Sequence, residues 1–183
     1  MSIMNSRQSQ IANAAIPMFL ADGVSVSTAS IAKAAGVANG TLFNAFATKQ
    51  ALIDAIYVMA KANMFAALAY QPGAPFDRQV LKQCWSGYLA WARRAPEEWR
   101  IMHLLHDAGL ASDDAQANVN AMFAPHSTWI GDALEAGKIQ GPSLAFLQQL
   151  ILRHLDLVVT QDLNQHDETV AFDMLCNTIG LTA

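Results

Sequence analysis

The chain has 183 residues, of which 53% are hydrophobic and 14% are charged, and its formal net charge is −4. This length and composition allow a buried core, which excludes a disordered protein and favours one or two domains. No uncharged run of 18 apolar residues occurs, and the start lacks the order of a secretion signal, so we expect neither a membrane protein nor an exported one. Cys84 and Cys176 match no metal spacing and fit thiols of a reducing cytosol, which predicts a cytoplasmic protein.

The charge is distributed unevenly along the chain. Up to residue 61, four lysines and arginines stand against two aspartates, a net charge of +2, whereas the remainder carries 7 basic and 13 acidic residues, a net charge of −6. A mildly basic start on an acidic body is the asymmetry expected of a small nucleic-acid-binding domain attached to a domain with another role.

The first predicted helix covers residues 5–21, and Pro17 inside it predicts a bend. Its apolar residues recur at helical spacing: Ile11, Ala14, Ala15, Met18 and Phe19.

Residues 27–52 predict two short helices joined by a glycine turn and followed by a new helix. Ser27 and Thr28 are residue types that cap a helix N-terminus, and Gly36 stands where a helix end needs a positive φ, with Val37 placed to pack across the turn. Thr48 is predicted to cap the next helix. Lys49 in its first turn opposes the helix dipole, and a phosphate contact would explain that placement.

The second short helix begins near Asn39. Leu42 and Phe46, four residues apart, are placed to hold it against the first helix. The other face carries small or hydrogen-bonding side chains suited to base edges in a DNA major groove: Asn39, Thr41, Asn44 and Ala45.

The rest of the chain predicts helices only. After the helix from Thr48 toward Leu68 and a Pro-Gly break at 71–75, helices are expected at 76–94, 96–108, 112–136, 143–163 and 167–180. Residues 76–94 are apolar nearly all round, which predicts a central buried helix. Pro125 is a possible bend in the helix that contains it.

The N-terminal quarter of the chain resembles the DNA-binding domain of the TetR/AcrR family of transcriptional regulators. The resembling positions run from Ile11 to about Ile56: Ile11, Ala14, Ala15, Phe19, Gly23, Ile31, Ala32, Ala35, Gly36, Val37, Gly40, Thr41, Leu42, Phe43, Phe46, Lys49 and Leu52. The family usually has Tyr at Phe43, often His or Tyr at Ala45, and often a basic residue near Ala29 and Ser30. The resemblance implies an all-α fold, with a three-helix helix-turn-helix DNA-binding domain at 1–50 and a helical effector-binding and dimerisation domain at 51–183.

The implied function is that of a DNA-binding transcriptional regulator, a ligand-responsive repressor that binds a palindromic double-stranded operator as a homodimer. Asn39, Thr41 and Asn44 are expected to contact bases, while Thr28, Lys49 and Lys33 hold phosphates. The full set predicted to contact DNA is Ser27, Thr28, Lys33, Asn39, Gly40, Thr41, Phe43, Asn44 and Lys49. The departures at Phe43, Ala29 and Ala45 motivate an alternative: a TetR-like ligand-binding or interaction protein with little DNA affinity.

Two further sets of residues are predicted in the second domain. An apolar small-molecule effector, of unknown identity, is expected among aromatic and polar side chains that are also typical of an ordinary core: Trp85, Tyr88, Trp91, Trp99, Met102, His103 and His106. The last two helices are predicted to form half of a four-helix dimer bundle, with intrachain packing as the other interpretation. The interface residues would be Leu147, Ile151, Leu155, Val158, Met174 and Leu175.

We expect no enzyme, cofactor or metal site. The sequence has no GxSxG, no phosphate-binding glycine loop and no HExxH. His103, His106 and Asp107 have the spacing of a shared metal site, with His126 as a conceivable third imidazole, but solvated side chains are the commoner reason for such spacing. A small metal-dependent enzyme is therefore the third and weakest interpretation.

Overall fold

The computed structural model describes residues 4–161 and 163–181, and within these ranges the only regular elements are α-helices, as the sequence predicts. Their bounds are α1 Ser6–Asp22, α2 Thr28–Ala34, α3 Asn39–Ala45, α4 Lys49–Ala67, α5 Arg78–Arg94, α6 Pro96–Asp107, α7 Asp113–Glu135, α8 Leu144–Thr160 and α9 Gln165–Thr178.

Capping side chains set the helix starts. Ser27 caps α2, the hydroxyl of Thr48 accepts from the N–H of Ala51, and Ser112 does the same for Ala115 in α7. The starts predicted at 76 and 167 are each wrong by two residues. Asp77 accepts from the N–H of Val80, and Asn164 caps α9, so each helix begins directly after its cap.

Pro17 and Pro125 both lie inside helices, α1 and α7, without ending them. A proline there removes one backbone hydrogen bond and favours a kink. The bends expected at these residues stay predictions.

The chain divides into two compact units, residues 1–63 with 95–121, and residues 64–94 with 122–183. In the first unit, α1 packs against α2, α3 and α6. The carboxylate of Asp54 on α4 holds the start of α7 by accepting from both the N–H (2.9 Å) and the hydroxyl (2.8 Å) of Ser112. These units are defined by packing, so the functional division at residue 50 stays a prediction.

In the second unit, α5 packs against α8 and α9. Seven of its residues are buried, but Gln83, Ser86 and Ala90 are exposed. The helix is therefore amphipathic, and the prediction that it is apolar nearly all round is wrong, because one of its sides faces solvent.

The Tyr88 hydroxyl donates to Asp156 of α8 at 2.5 Å, so a buried carboxylate ties the two helices together. Cys84 and Cys176 are free and buried, and burial raises the pKa of the Cys84 thiol to about 11, so this thiol stays protonated at neutral pH.

Candidate nucleic-acid interface

The turn between α2 and α3 has the geometry that Gly36 predicts. Gly36 has φ of 65°, its N–H donates to the carbonyl of Lys33, and the N–H of Val37 donates to the carbonyl of Ala32. These two bonds satisfy the last carbonyls of α2 in a Schellman motif. The direction in which the chain enters α3 is therefore fixed by a residue that tolerates the left-handed conformation.

One side of α3 is buried and the other is open to solvent. Leu42 and Phe46 have 0% and 4% of their surfaces exposed, so they anchor the helix as expected. Most of the opposite side is exposed, including Phe43 at 43%, and Thr41 at its margin is half-buried. We call this side the α3 face: Asn39, Gly40, Thr41, Phe43 and Asn44.

Two glutamines of α1 complete the motif, and sequence reasoning missed both. Gln10 donates from Nε2 to the carbonyl of Ala35 at 2.7 Å, and Gln8 donates to the carbonyl of Ala45 at 3.1 Å. Both carbonyls lie at helix ends, where no intrahelical donor remains. The only signal in the sequence was the placement of two long amides on the early turns of α1.

The residues predicted to contact phosphates lie before and after α3 in the chain. Lys33 on α2 is exposed, whereas Thr28 and Lys49, at the starts of α2 and α4, are half-buried. The Ser27 hydroxyl accepts from the N–H of Ser30 at 3.1 Å and lies 2.8 Å from the Ser30 hydroxyl, so it serves as a helix cap. These roles toward DNA stay predictions.

The residues predicted to bind an effector fall into both units. Trp99, Met102, His103 and His106 lie on α6 in the first unit. The Trp99 and His103 rings are 4.7 Å apart and tilted by 58°, and the Nδ1 atom of His106 lies 3.3 Å from the Tyr57 hydroxyl. Trp85, Tyr88 and Trp91 lie on α5 in the second unit and are buried in its core. The structure thus brings each group together within its own unit.

The second unit contains a cavity of about 560 Å³ that the sequence did not predict. The loop between α4 and α5 and the C-terminal half of α7 form it. The Phe76 and Trp129 rings, 4.4 Å apart, make the apolar wall with Tyr70, while Asp132 and Lys138 add opposite charges. This volume lies within the range of small-molecule sites.

The predicted interface residues differ in exposure. Ile151 is half-buried and Met174 is 58% exposed. The remaining four, Leu147, Leu155, Val158 and Leu175, are buried in the described chain. The large apolar side chains that α8 and α9 expose are Phe146, Leu157, Val170 and Met174, and we call these the α8–α9 patch.

Within the described ranges, no three histidine, cysteine, aspartate or glutamate side chains gather closely enough to hold a metal ion. In the same ranges, no helix combines the length and apolar character needed to cross a membrane. His126 lies in the second unit, with its ring 5.5 Å from both Tyr70 and Trp129, and its burial lowers its pKa to about 4.

Comparisons with known proteins agree with this architecture. Residues 11–56 match the model of the family of bacterial regulatory proteins called the tetR family, the same span that carries the sequence resemblance. Two solved structures cover nearly all of the chain. One, described as a tetR family transcription regulator from Shewanella sp. PV-4, is 21% identical and covers 96% of this chain and 98% of its own, with a TM-score of 0.82.

The other is a TetR family transcription regulator from Marinobacter aquaeolei VT8, which is 18% identical, covers 95% of each chain and gives a TM-score of 0.81. At these identities the structures establish the fold, and the family model supplies the assignment of the N-terminal domain. The predicted resemblance to the TetR family is therefore confirmed, and the fold and family match support a DNA-binding regulator of transcription.

Proposed function

We propose that this chain is a ligand-responsive transcriptional repressor that acts in the cytoplasm and binds a palindromic operator as a homodimer. The observation that carries the proposal is the α3 face, which buried Leu42 and Phe46 hold in place while the side chains of Asn39 and Asn44 stay open to solvent. In helix-turn-helix proteins the second helix of the motif enters the major groove, and a two-fold dimer matches two half-sites.

The α8–α9 patch is our candidate dimer interface. Phe146 and Leu157 are eleven residues apart on α8, close to three full turns, and Val170 and Met174 are four apart on α9. Each pair therefore lies along one side of its helix. Packing against a second copy would cover four apolar side chains that no other part of the described chain covers.

The cavity of the second unit is our candidate effector site, because three aromatic rings form its wall. A ligand bound in this cavity would release the operator by shifting the population toward a form that binds DNA weakly, which requires that the ligand prefer that form.

The test is selection of bound sequences from a random duplex library at low salt, with sedimentation of the protein alone. We expect a palindromic site and a dimer. A folded dimer that enriches no sequence would instead favour the alternative of a TetR-like ligand-binding or interaction protein with little DNA affinity.

The dimer has its own test. Met174→Glu places a charge in the α8–α9 patch and should weaken dimerisation by about 10-fold or more, because the carboxylate would lose its water in the interface. Gln83→Glu, at an exposed site of the same unit, is the control and should leave the dimer intact. An unchanged dimer in Met174→Glu would show that the interface lies elsewhere.

A further inference from the structure

The α3 face has no charged side chain, and this limits the base pairs that it can recognise. From Asn39 to Ala45 the helix carries amide, hydroxyl, aliphatic, aromatic and small side chains and no charge. The usual partner of guanine is Arg or Lys, which donates to its O6 and N7 atoms. Because α3 has neither, it lacks the usual means of recognising a G·C pair.

The two asparagines of the α3 face are unused within the protein. Neither Asn39 nor Asn44 forms a side-chain hydrogen bond with another residue that the structure describes, although Asn5 and Asn164 use their amides as helix caps. A side-chain amide can donate to N7 and accept from N6 of adenine at the same time. Both asparagines therefore have the pairing capacity of an adenine contact still available.

Phe43 adds an apolar contact to the same face. A single exposed phenylalanine is common on protein surfaces, but this one follows Leu42, which fills the core, and precedes Asn44, which faces solvent. The apolar group that a side chain can meet in the major groove is the thymine methyl group. The α3 face thus carries a side chain suited to each half of an A·T pair: an amide for adenine and an aromatic ring for the thymine methyl group.

Gly40 leaves space on the α3 face because it has no side chain. Its φ is not positive, and a Cβ built on it would meet nothing within 4 Å. A glycine in a helix is less favourable than an alanine, and no contact inside the chain requires it here. Because Phe43 and Asn44 follow it by three and four residues, its missing side chain lets a base edge approach between them.

We propose that the α3 face recognises A·T base pairs, with Asn39 and Asn44 binding adenine and Phe43 packing against a thymine methyl group. This inference rests on the proposed DNA-binding function. It predicts that the base pairs covered by α3 in each selected half-site, which we call the protected pairs, are A·T pairs.

Base analogues in the selected duplex test the contacts one at a time. Uracil in place of a protected thymine removes only the methyl group and should lower the affinity about fourfold, given about 0.8 kcal/mol per buried carbon. In the Phe43→Ala protein the same replacement should have no effect. Uracil at thymines outside the protected pairs is the control.

The adenine contacts are tested in the same way. Replacing adenine with 7-deazaadenine removes the N7 acceptor and should lower the affinity roughly 10-fold, within the range for a lost bidentate contact. The loss should disappear in whichever of Asn39→Ala and Asn44→Ala lacks the matching contact. Circular dichroism of each variant establishes that it is folded.

The outcomes separate this inference from the proposed function. Selected half-sites with G·C at the protected pairs, or analogue effects that persist unchanged in all three variants, would overturn the A·T assignment and leave a DNA-binding protein. A folded protein that binds no duplex in the library would overturn both.

Discussion

Helices α3 and α5 each contain one glycine with helical φ, and the surroundings of the two glycines are opposite. A Cβ on Gly87 of α5 would lie 1.9 Å from the carbonyl oxygen of Ala67, whereas a Cβ on Gly40 of α3 would meet nothing within 4 Å. Gly87 is therefore explained by packing inside its own unit. Gly40 has no such explanation, which directs attention to a partner outside the chain.

The same contrast holds for polar groups. In the second unit, the Tyr88 hydroxyl is bonded to Asp156, and the Trp129 indole donates to the carbonyl of Ala74 at 3.0 Å. On the α3 face, the amides of Asn39 and Asn44 stay exposed. Polar groups that build a fold are paired within it, whereas those that bind a partner are left available.

The largest effect on stability is expected at Gly87, where the backbone of Ala67 leaves no room for a side chain. Gly87→Ala forces a methyl group against backbone and should lower the free energy of unfolding by about 3 kcal/mol, the upper end for overpacking. Urea unfolding measures it. A variant as stable as the parent protein would mean that α4 and α5 can separate without cost at this point.

His126 should make the protein sensitive to acid. Its pKa is about 4 in the folded protein, below the ordinary value of 6.5, so the unfolded chain binds more protons between these values. Its contribution to stability is complete above pH 6.5 and is lost as the pH falls through 4, roughly 2–3 kcal/mol in all. Unfolding at a series of pH values measures it.

The controls for this prediction are two glutamine variants. His126→Gln should remove most of the pH dependence in this window, and His166→Gln, at an exposed position, should keep it. Equal pH profiles in the parent and His126→Gln proteins would contradict the assignment.

The next prediction concerns the proposed phosphate contact of Lys49, which follows α3 in the chain. If Lys49 contacts a phosphate, Lys49→Ala should weaken binding to all sequences alike, by about 1 kcal/mol at low salt, and reduce the slope of log affinity against log salt by about 0.9. Arg94→Ala, which removes an exposed arginine in the second unit, should change neither quantity. A change in sequence preference alone would rule out the phosphate role.

The helix-turn-helix motif could be predicted because the residues that determine it act on their near neighbours in the sequence. Ser27, Gly36 and Thr48 act within a few residues of themselves, and Leu42 and Phe46 are joined by helical period, so the motif follows from short stretches of sequence. The likeness to a known family then supplied the roles of the α3 face.

Contacts between distant segments could not be predicted in this way. Gln10 reaches Ala35 across 25 residues, and no period in the sequence indicates that pairing. A broad apolar stripe such as that of α8 also does not tell which of its members face the chain's own core. Leu147 is buried there while its neighbour Phe146 is 52% exposed, a distinction that depends on how α5 packs.

The cavity was missed for a related reason. Phe76 and Trp129 are 53 positions apart and belong to no common pattern, so only the folded chain brings their rings to 4.4 Å. The sequence instead predicted an effector site among aromatic residues at helical spacing on α5 and α6. The structure places these two helices in different units.

The measurement that tests the central claim most directly uses Gly40→Ala with two readouts, thermal unfolding and affinity for the selected duplex. Alanine should stabilise α3 by roughly 0.5 kcal/mol, the lower end of the range for a helix because Gly40 lies in the first turn, and should raise the unfolding midpoint. The new methyl group meets nothing in the protein. If the α3 face binds DNA closely, the same methyl group should lower the affinity, so the two quantities should change in opposite directions. A more stable protein whose affinity for the duplex is unchanged would contradict the assignment of the α3 face to DNA.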